Sequence, residues 1–325
     1  MIQWGIIGCG DVTEIKSGPA FKKVPNSKLV AVMRRQAEKA KDYAARHQVP
    51  KWYHDASQLI NDPEVNAIYI ATPPVYHEEY AIAAVAAGKP FYLEKPMAMN
   101  AASAKKITTA ANEKNVRLSI AHYRRQQEKF LFIRNFIIQK KFGKIKKVTL
   151  IFSQPPNPSM IARTEQPWRF DPAISGGGLF HDLAPHQLDL MLYFFGKPLH
   201  ASGKSFNLHG NYEADDTATA EIIFENNISF NGSWAFESKE KSDICTIEGS
   251  EGKISFSIFN DQQVQVTVNN KAEIFEFPHL PHVQQPMIEK VVEYFTGYGP
   301  NPCPGEDGVI VMQMIDAVVK KGNLN

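Results

Sequence analysis

Cysteine is nearly absent: Cys9, Cys245 and Cys303 are the three in 325 residues, far apart and without a C-x-x-C pair. An odd, scattered set argues against a disulfide framework or a thiolate zinc cluster, and it fits a reducing, cytoplasmic setting. No apolar run reaches the length needed to span a bilayer. Nor does one charge dominate, because 36 Lys and Arg stand against 34 Asp and Glu, a formal net charge of +2. That balance gives no electrostatic ground for a nucleic-acid or anionic-membrane partner. A secretory leader is not expected either: "MIQWGIIG" enters an apolar strand directly, with no basic start and no cleavage site.

What is present is an ordinary globular composition, 43% apolar and 22% charged, in a chain long enough for two domains. Up to about residue 122, short apolar runs alternate with helical spacing. "QWGIIG" (3–8), "KLVAVM" (28–33), "NAIYIA" (66–71), "PFYLE" (90–94) and "VRLSIA" (116–121) read as strands. Between them, 37–47, 77–88 and 100–115 read as helices, with Gly88 a C-cap and Asn100 an N-cap. Gly18-Pro19 should break the first helical segment into two short pieces. This alternation predicts a parallel sheet with crossover helices, an α/β domain over 1–122. From 123 to 325 the texture differs. An amphipathic helix ending at Gly143 and a proline-rich loop over 154–172 precede strands that turn at Asn226-Asn227, Gly249 to Gly252 and Asn269-Asn270. Two helices, near 284–296 and 305–320, close the chain. The second domain should therefore be α+β with a large, mostly antiparallel, open sheet.

The loop "GIIGCGDVT" sets Gly8-x-Gly10-x-x-Thr13 directly after the first strand. Glycines there permit a tight turn and close backbone approach, so amides at a helix start can hold a pyrophosphate. Thr13 stands where a smaller third residue is usual, which should push the helix slightly off the strand. The second strand ends in "VAVMRRQAEK", with Arg34 and Arg35 where an acid normally binds the adenosine ribose. Two guanidiniums suit a 2′-phosphate, so NADP is expected in preference to NAD.

Three more stretches complete a pattern: "IATPPVYHEEYAIAAVAAGKPFYLEKPMAMN" (70–100), "PWRFDPAISGGG" (167–178) and "DLAPHQLD" (182–189). With the glycine loop, their A-T-P-P, E-K-P and D-x-x-x-H elements resemble the glucose–fructose oxidoreductase and inositol dehydrogenase (Gfo/Idh/MocA) family. The resemblance covers nearly the whole chain. It implies a Rossmann domain followed by an open-sheet domain, and NAD- or NADP-dependent oxidation or reduction of a secondary alcohol or carbonyl on sugars, cyclitols or polyols. It also implies a dimer or tetramer formed through the C-terminal sheet. Its lysine maps to Lys95 and its D-x-x-x-H pair to Asp182 and His186. Its cofactor contacts map to Gly8, Cys9, Gly10, Asp11 and Val12; to Ala71, Thr72, Pro73 and Pro74 with His77; to Glu94 and Lys95; and to Trp168 and Arg169. Pro185, inside D-x-x-x-H, departs from the pattern: either it sits in a first helical turn or the helix kinks.

The chemistry of "GGGLFHDLAPHQLD" can be weighed on its own terms. Histidines and carboxylates at this spacing could ligate a metal. Hydride transfer needs none, however, if a cation and a proton acceptor flank the substrate oxygen. Lys95, just past a strand's C-terminal end, can stabilise alkoxide charge. His186 can take the hydroxyl proton, and Asp182 can orient His186 or bind a substrate hydroxyl. His181 and Asp189 are assigned to structure, the latter facing an arginine or backbone donors. Gly176 to Gly178 either bring backbone close to a ligand or form a flexible loop, and Trp168 is core or ligand platform. The competing functions are a non-catalytic nucleotide-binding regulator and an NAD-dependent glycosidase.

Overall fold

The computed structural model describes residues 1–156 and 168–319. Two compact units are formed. The first comprises Met1–Arg124 together with the late segment Leu280–Met312. The second takes up the chain at Arg125, includes Arg169–His279, and regains it at Gln313.

In the first unit the order is β1 (Ile2–Ile7), α1 (Asp11–Ile15), β2 (Ser27–Met33), α2 (Ala37–Arg46), β3 (Lys51–Tyr53), α3 (Ala56–Asn61), β4 (Ala67–Ile70), α4 (His77–Ala86), β5 (Phe91–Leu93), α5 (Ala101–Glu113) and β6 (Leu118–Ile120). The six strands lie in the order β3-β2-β1-β4-β5-β6, and every pairing is parallel. Every residue of β4 and β5 is buried, as helices on both faces of a sheet require. The expected break at Gly18-Pro19 is found: α1 stops at Ile15 and a 3-10 turn occupies Gly18–Lys22. Asn100 caps α5 by accepting the Ser103 amide at 3.0 Å, and Gly88 adopts φ +66° just after α4. The strand β3 is an addition to the sequence reading. It is a three-residue edge strand, partly exposed, and "KWY" is not an apolar run.

The second unit begins with α6 (Glu128–Ile138) and β7 (Ile145–Ser153), followed by α7 (Pro172–Ser175) and α8 (Gly178–Phe195). Seven strands follow: β8 (Pro198–Phe206), β9 (Thr217–Phe224), β10 (Ile228–Ala235), β11 (Ser242–Gly249), β12 (Gly252–Phe256), β13 (Gln263–Val268) and β14 (Lys271–Glu276). Helix α9 (Gln285–Thr296), which belongs to the first unit, and α10 (Gly305–Val319), whose residues from Gln313 on belong to the second, end the described chain. The eight strands run β14-β13-β12-β11-β7-β10-β9-β8, antiparallel except for the β7–β10 pair. Asn226, Asn227, Asn269 and Asn270 all have positive φ, between 48° and 62°, which is why asparagine pairs make these turns.

Strand β10 alternates strictly, with Ile228, Phe230, Gly232 and Trp234 buried and their neighbours partly exposed. That period of two gives the sheet one covered face and one open one, the latter showing Ile151, Ile244 and Ile274. Helix α8 packs on the covered face. Phe180 meets Trp234 edge-on at 5.1 Å, and the Trp234 indole donates to Gln187 Oε1 at 2.6 Å. The fully buried Asp189 carboxylate is held by Arg125 at 2.6 Å, one of the two kinds of partner expected of it. Burial raises the Asp189 pKa and Arg125 opposes that shift. The proline-rich loop expected over 154–172 lies largely outside the described residues.

Candidate active site

The strand order of the first sheet reverses between β1 and β4. In open α/β sheets, ligands bind beyond the strand C-termini at such a switch point. The glycine turn after β1 and the A-T-P-P turn after β4 therefore lie side by side. Gly8 has φ +94°, and a Cβ there would come within 2.9 Å of the Ala71 carbonyl and of Thr72 Cγ2, so only glycine fits. The amides of Gly8 and Cys9 donate to the Met33 carbonyl at 2.9 and 3.1 Å, and that of Gly10 to the Gly8 carbonyl at 2.8 Å. These three amides serve the turn itself, which narrows the expected phosphate donors to Asp11 and Val12, the first residues of α1. Thr13 is buried rather than displaced, its hydroxyl donating to the Gly10 carbonyl at 2.7 Å and its carbonyl accepting from Tyr43 Oη at 2.8 Å. Burial pushes the Cys9 thiol up to about 12, against the influence of Arg34, so Cys9 is inert.

Arg34 and Arg35 diverge. Arg34 Nη1 reaches the Cys9 carbonyl at 3.4 Å, on the glycine turn, whereas the Arg35 guanidinium stacks 4.3 Å from the Tyr76 ring centre. Among the A-T-P-P residues, Ala71 and Pro73 are partly exposed and Pro74 is buried. The Thr72 hydroxyl is buried and has no hydrogen-bond partner among the described residues. A buried orphan hydroxyl beside the glycine turn is the fit expected where a dinucleotide supplies the missing partner.

His77 takes a different place from that implied for a cofactor contact. It is fully buried, with Nδ1 2.9 Å from the Pro96 carbonyl and Nε2 2.8 Å from the Thr72 carbonyl. It ties the A-T-P-P turn to the E-K-P turn. Burial pushes its pKa down to about 4, so the ring is neutral and donates to one carbonyl at a time.

Glu94 and Lys95 follow β5, and the Lys95–Pro96 peptide is cis. Glu94 is buried, and its Oε2 accepts the Lys95 amide at 3.1 Å. Its Oε1 accepts from the Tyr69 hydroxyl and from Gln284 Nε2, the latter at 2.6 Å, while Gln284 Oε1 accepts from Tyr92 Oη at 3.2 Å. Burial, and then the neighbouring Glu94, raise the pKa of both tyrosines well above the ordinary phenol range, so both remain donors. Sequence reasoning missed this backing. Gln284 lies 190 residues from Glu94, and no motif marks it.

In the second unit, Asp182 and His186 stand four residues apart on α8 and so share one helix face. Arg169, in the turn Trp168–Phe170, donates Nε to Asp182 Oδ2 at 3.0 Å, so the arginine implied as a cofactor contact is joined to the carboxylate. Trp168 is partly exposed at the start of that turn. His186 is buried, edge-on to Phe259 at 5.6 Å. Pro185 lies beyond the first turn of an unbroken helix, and so has no N–H to return to the His181 carbonyl. Gly177 and Gly178 have positive φ, and a Cβ on them would strike the His181 ring at 2.1 Å and Ala214 Cβ at 2.4 Å. The close approach these glycines permit is therefore to His181 and Ala214 of this chain. Lys95 belongs to the first unit, and Asp182 and His186 to the second. Among the described residues no three His, Cys, Asp or Glu side chains form a metal-holding group, and no helix is long and apolar enough to cross a membrane.

A six-stranded parallel sheet with a glycine turn at its switch point, joined to an open eight-stranded sheet, defines an NAD-binding oxidoreductase architecture. The chain belongs to the Gfo/Idh/MocA family: the description "Oxidoreductase family, NAD-binding Rossmann fold" matches residues 2–122, and "GFO/IDH/MocA C-terminal domain" matches 130–255. An oxidoreductase of Formosa agariphila is 43% identical over 315 residues, covering 97% of either chain. A 1,5-anhydro-D-fructose reductase of Ensifer adhaerens is 26% identical, covering 98% of this chain and 96% of that one. The fold matches a levoglucosan dehydrogenase in complex with NADH and levoglucosan, with TM-score 0.85, 21% identity and coverage of 99% and 98%. The protein is an enzyme, an NAD(P)-dependent oxidoreductase.

Proposed function

We propose that the enzyme transfers a hydride between a nicotinamide and a secondary alcohol or carbonyl of a sugar-, cyclitol- or polyol-like substrate, with NADP the preferred cofactor. The observation that carries this reading is Lys95, set at the C-terminal edge of the parallel sheet on a buried, hydrogen-bonded Glu94. The naming of a 26% identical relative as an anhydrosugar reductase supports the substrate class. Asp11 and Val12, Thr72 and Arg34 would hold the dinucleotide, which supplies a two-electron acceptor for the hydride leaving the substrate carbon.

In the oxidative direction the C–H bond breaks with its electron pair and the O–H bond breaks as a proton, leaving a carbonyl. Lys95 hydrogen-bonds the substrate oxygen and stabilises negative charge as it develops. His186 accepts the hydroxyl proton and returns it in the reverse reaction. Asp182, fixed by Arg169, binds a substrate hydroxyl or orients His186. Two copies would pair through the open face of the eight-stranded sheet, burying Ile151, Ile244 and Ile274.

The test is a screen of sugars, 1,5-anhydrosugars, inositols and diols with NAD and NADP, read by nicotinamide absorbance. Lys95→Met should leave cofactor binding intact and lower turnover by ~10²-fold or more on any substrate found. His186→Ala should lower it by roughly 10²- to 10⁴-fold. Near wild-type turnover in both variants would exclude this mechanism.

A further inference from the structure

The side chain of Gln284 is 1% exposed and lies at the start of α9, at the far end of the chain from the motifs. Its amide is fully assigned in both directions, with Tyr92 donating to Oε1 and Nε2 donating to Glu94. Its own backbone N–H donates to the Lys16 carbonyl at 3.2 Å, which anchors α9 beside the segment that follows α1. A carboxylate with one oxygen held by two donors cannot rotate, so its other oxygen meets the Lys95 amide in one fixed place. Burying so polar a cluster is costly unless every member is satisfied, and an apolar filling of this volume would serve the fold as well. The cluster sits directly behind one lysine.

We propose that Gln284 is a positioning residue for hydride transfer, acting with Tyr69 through Glu94 to fix the backbone from which Lys95 reaches the substrate oxygen. This rests on the reading of Lys95 as the group that stabilises that oxygen. A rigid supporting layer of this kind sets how closely a donor matches the geometry of the transition state, and looseness of an ångström is felt in kcat. Removing it should therefore lower kcat while leaving the binding of cofactor and substrate nearly unchanged.

The experiment compares Gln284→Leu, Tyr69→Phe, Lys95→Met and the Gln284→Leu/Lys95→Met double variant. The substrate is whichever compound of the screen turns over fastest, and NADPH and NADH affinities are measured separately by fluorescence titration. Gln284→Leu and Tyr69→Phe should each lower kcat roughly tenfold, the value of one hydrogen bond to a charged group, with KM and cofactor Kd within about twofold of wild type. The double variant should be no slower than Lys95→Met alone, because residues acting as one unit are not additive. Wild-type kcat in both single variants, or a double loss equal to the product of the single ones, overturns the proposal. Should Gln284→Leu fail to fold, Tyr69→Phe carries the test, since it keeps the ring and removes only the hydroxyl. A fully active Lys95→Met would overturn the mechanism itself, whereas a crippled Lys95→Met beside normal Gln284 and Tyr69 variants overturns this inference alone.

Discussion

Arg34 and Arg35 are adjacent and of one type, yet the fold gives them different work. One guanidinium lies on the glycine turn, 3.4 Å from the Cys9 carbonyl, and the other is spread over Tyr76. Of the two, Arg34, on the glycine turn, is the one we propose to meet a phosphate on the adenosine ribose. Such a phosphate carries close to two negative charges, and a charge-assisted hydrogen bond contributes about 1.5–3 kcal/mol, or one to two decades in affinity. Arg34→Asp should therefore weaken NADP binding by roughly 10- to 100-fold and leave NAD binding similar or better, with the NADP effect shrinking at high salt. Fluorescence titrations of both nucleotides check it, and a wild type that prefers NAD would remove the assignment. The sequence located the arginine pair because the acid it replaces has a defined place after the second strand. Its order along the chain favoured Arg34, the first residue past the apolar strand, and left Arg35 to an adenine or to solvent; that Arg35 instead lies over Tyr76 depends on a ring 41 positions along the chain. Gly177 and Gly178 show the same limit: the sequence left open whether they allow a close approach or only a flexible loop, and it is His181 and Ala214 that require them.

At the scale of elements, His77 opens α4 and binds the turns after β4 and β5 together. Its pKa in the folded protein, about 4, lies below the ordinary 6.5, so the unfolded chain binds a proton that the folded one refuses. The stability this provides is fully present above about pH 6.5 and is lost as pH falls toward about 4, on the order of 3 kcal/mol across the window. Urea denaturation between those two values should show this loss, and His77→Gln should flatten the profile by close to one proton. An unchanged slope in the variant would mean that His77 is not the group responsible. Glu14, held down to about 2 by Arg46 and His47, acts in the same direction but at lower pH, which keeps the two contributions apart. Elements were legible in proportion to their burial. The runs that became β1, β2, β4, β5 and β6 stood out because parallel strands covered on both faces are apolar on both. The partly exposed β3 had no such signature, and only packing decides whether Pro185 ends a helix or is carried inside one.

At the scale of the whole molecule, the first unit is closed by residues from late in the chain. Gln284 completes the support of Glu94, the Cys303 carbonyl accepts the Ile120 amide at 2.9 Å, and Met287, Ile288 and Val291 are fully buried. Each such apolar side chain contributes about 1.5–3 kcal/mol. A chain ending at residue 279 should thus lose an amount comparable to a typical domain's whole margin of about 5–15 kcal/mol, and its first unit should neither melt cooperatively nor bind NADPH. Calorimetry and fluorescence titration of that fragment would show it, and a cooperative, NADPH-binding fragment would refute the claim. Composition and periodicity revealed two sheets and their order. They could not reveal this closure, because an amphipathic helix near the end of a chain carries no address.

The closure also bears on how the protein matures on the ribosome. Domains usually fold as they emerge, N-terminal first. Here the glycine turn, A-T-P-P and E-K-P are all translated before residue 100, but the glutamine that braces Lys95 arrives almost 200 residues later. A nascent chain therefore carries its nucleotide motifs long before the lysine is seated, and a product cut short before 280 would hold every recognisable motif and lack the brace. Synthesis itself orders the steps, with the reactive geometry assembled last.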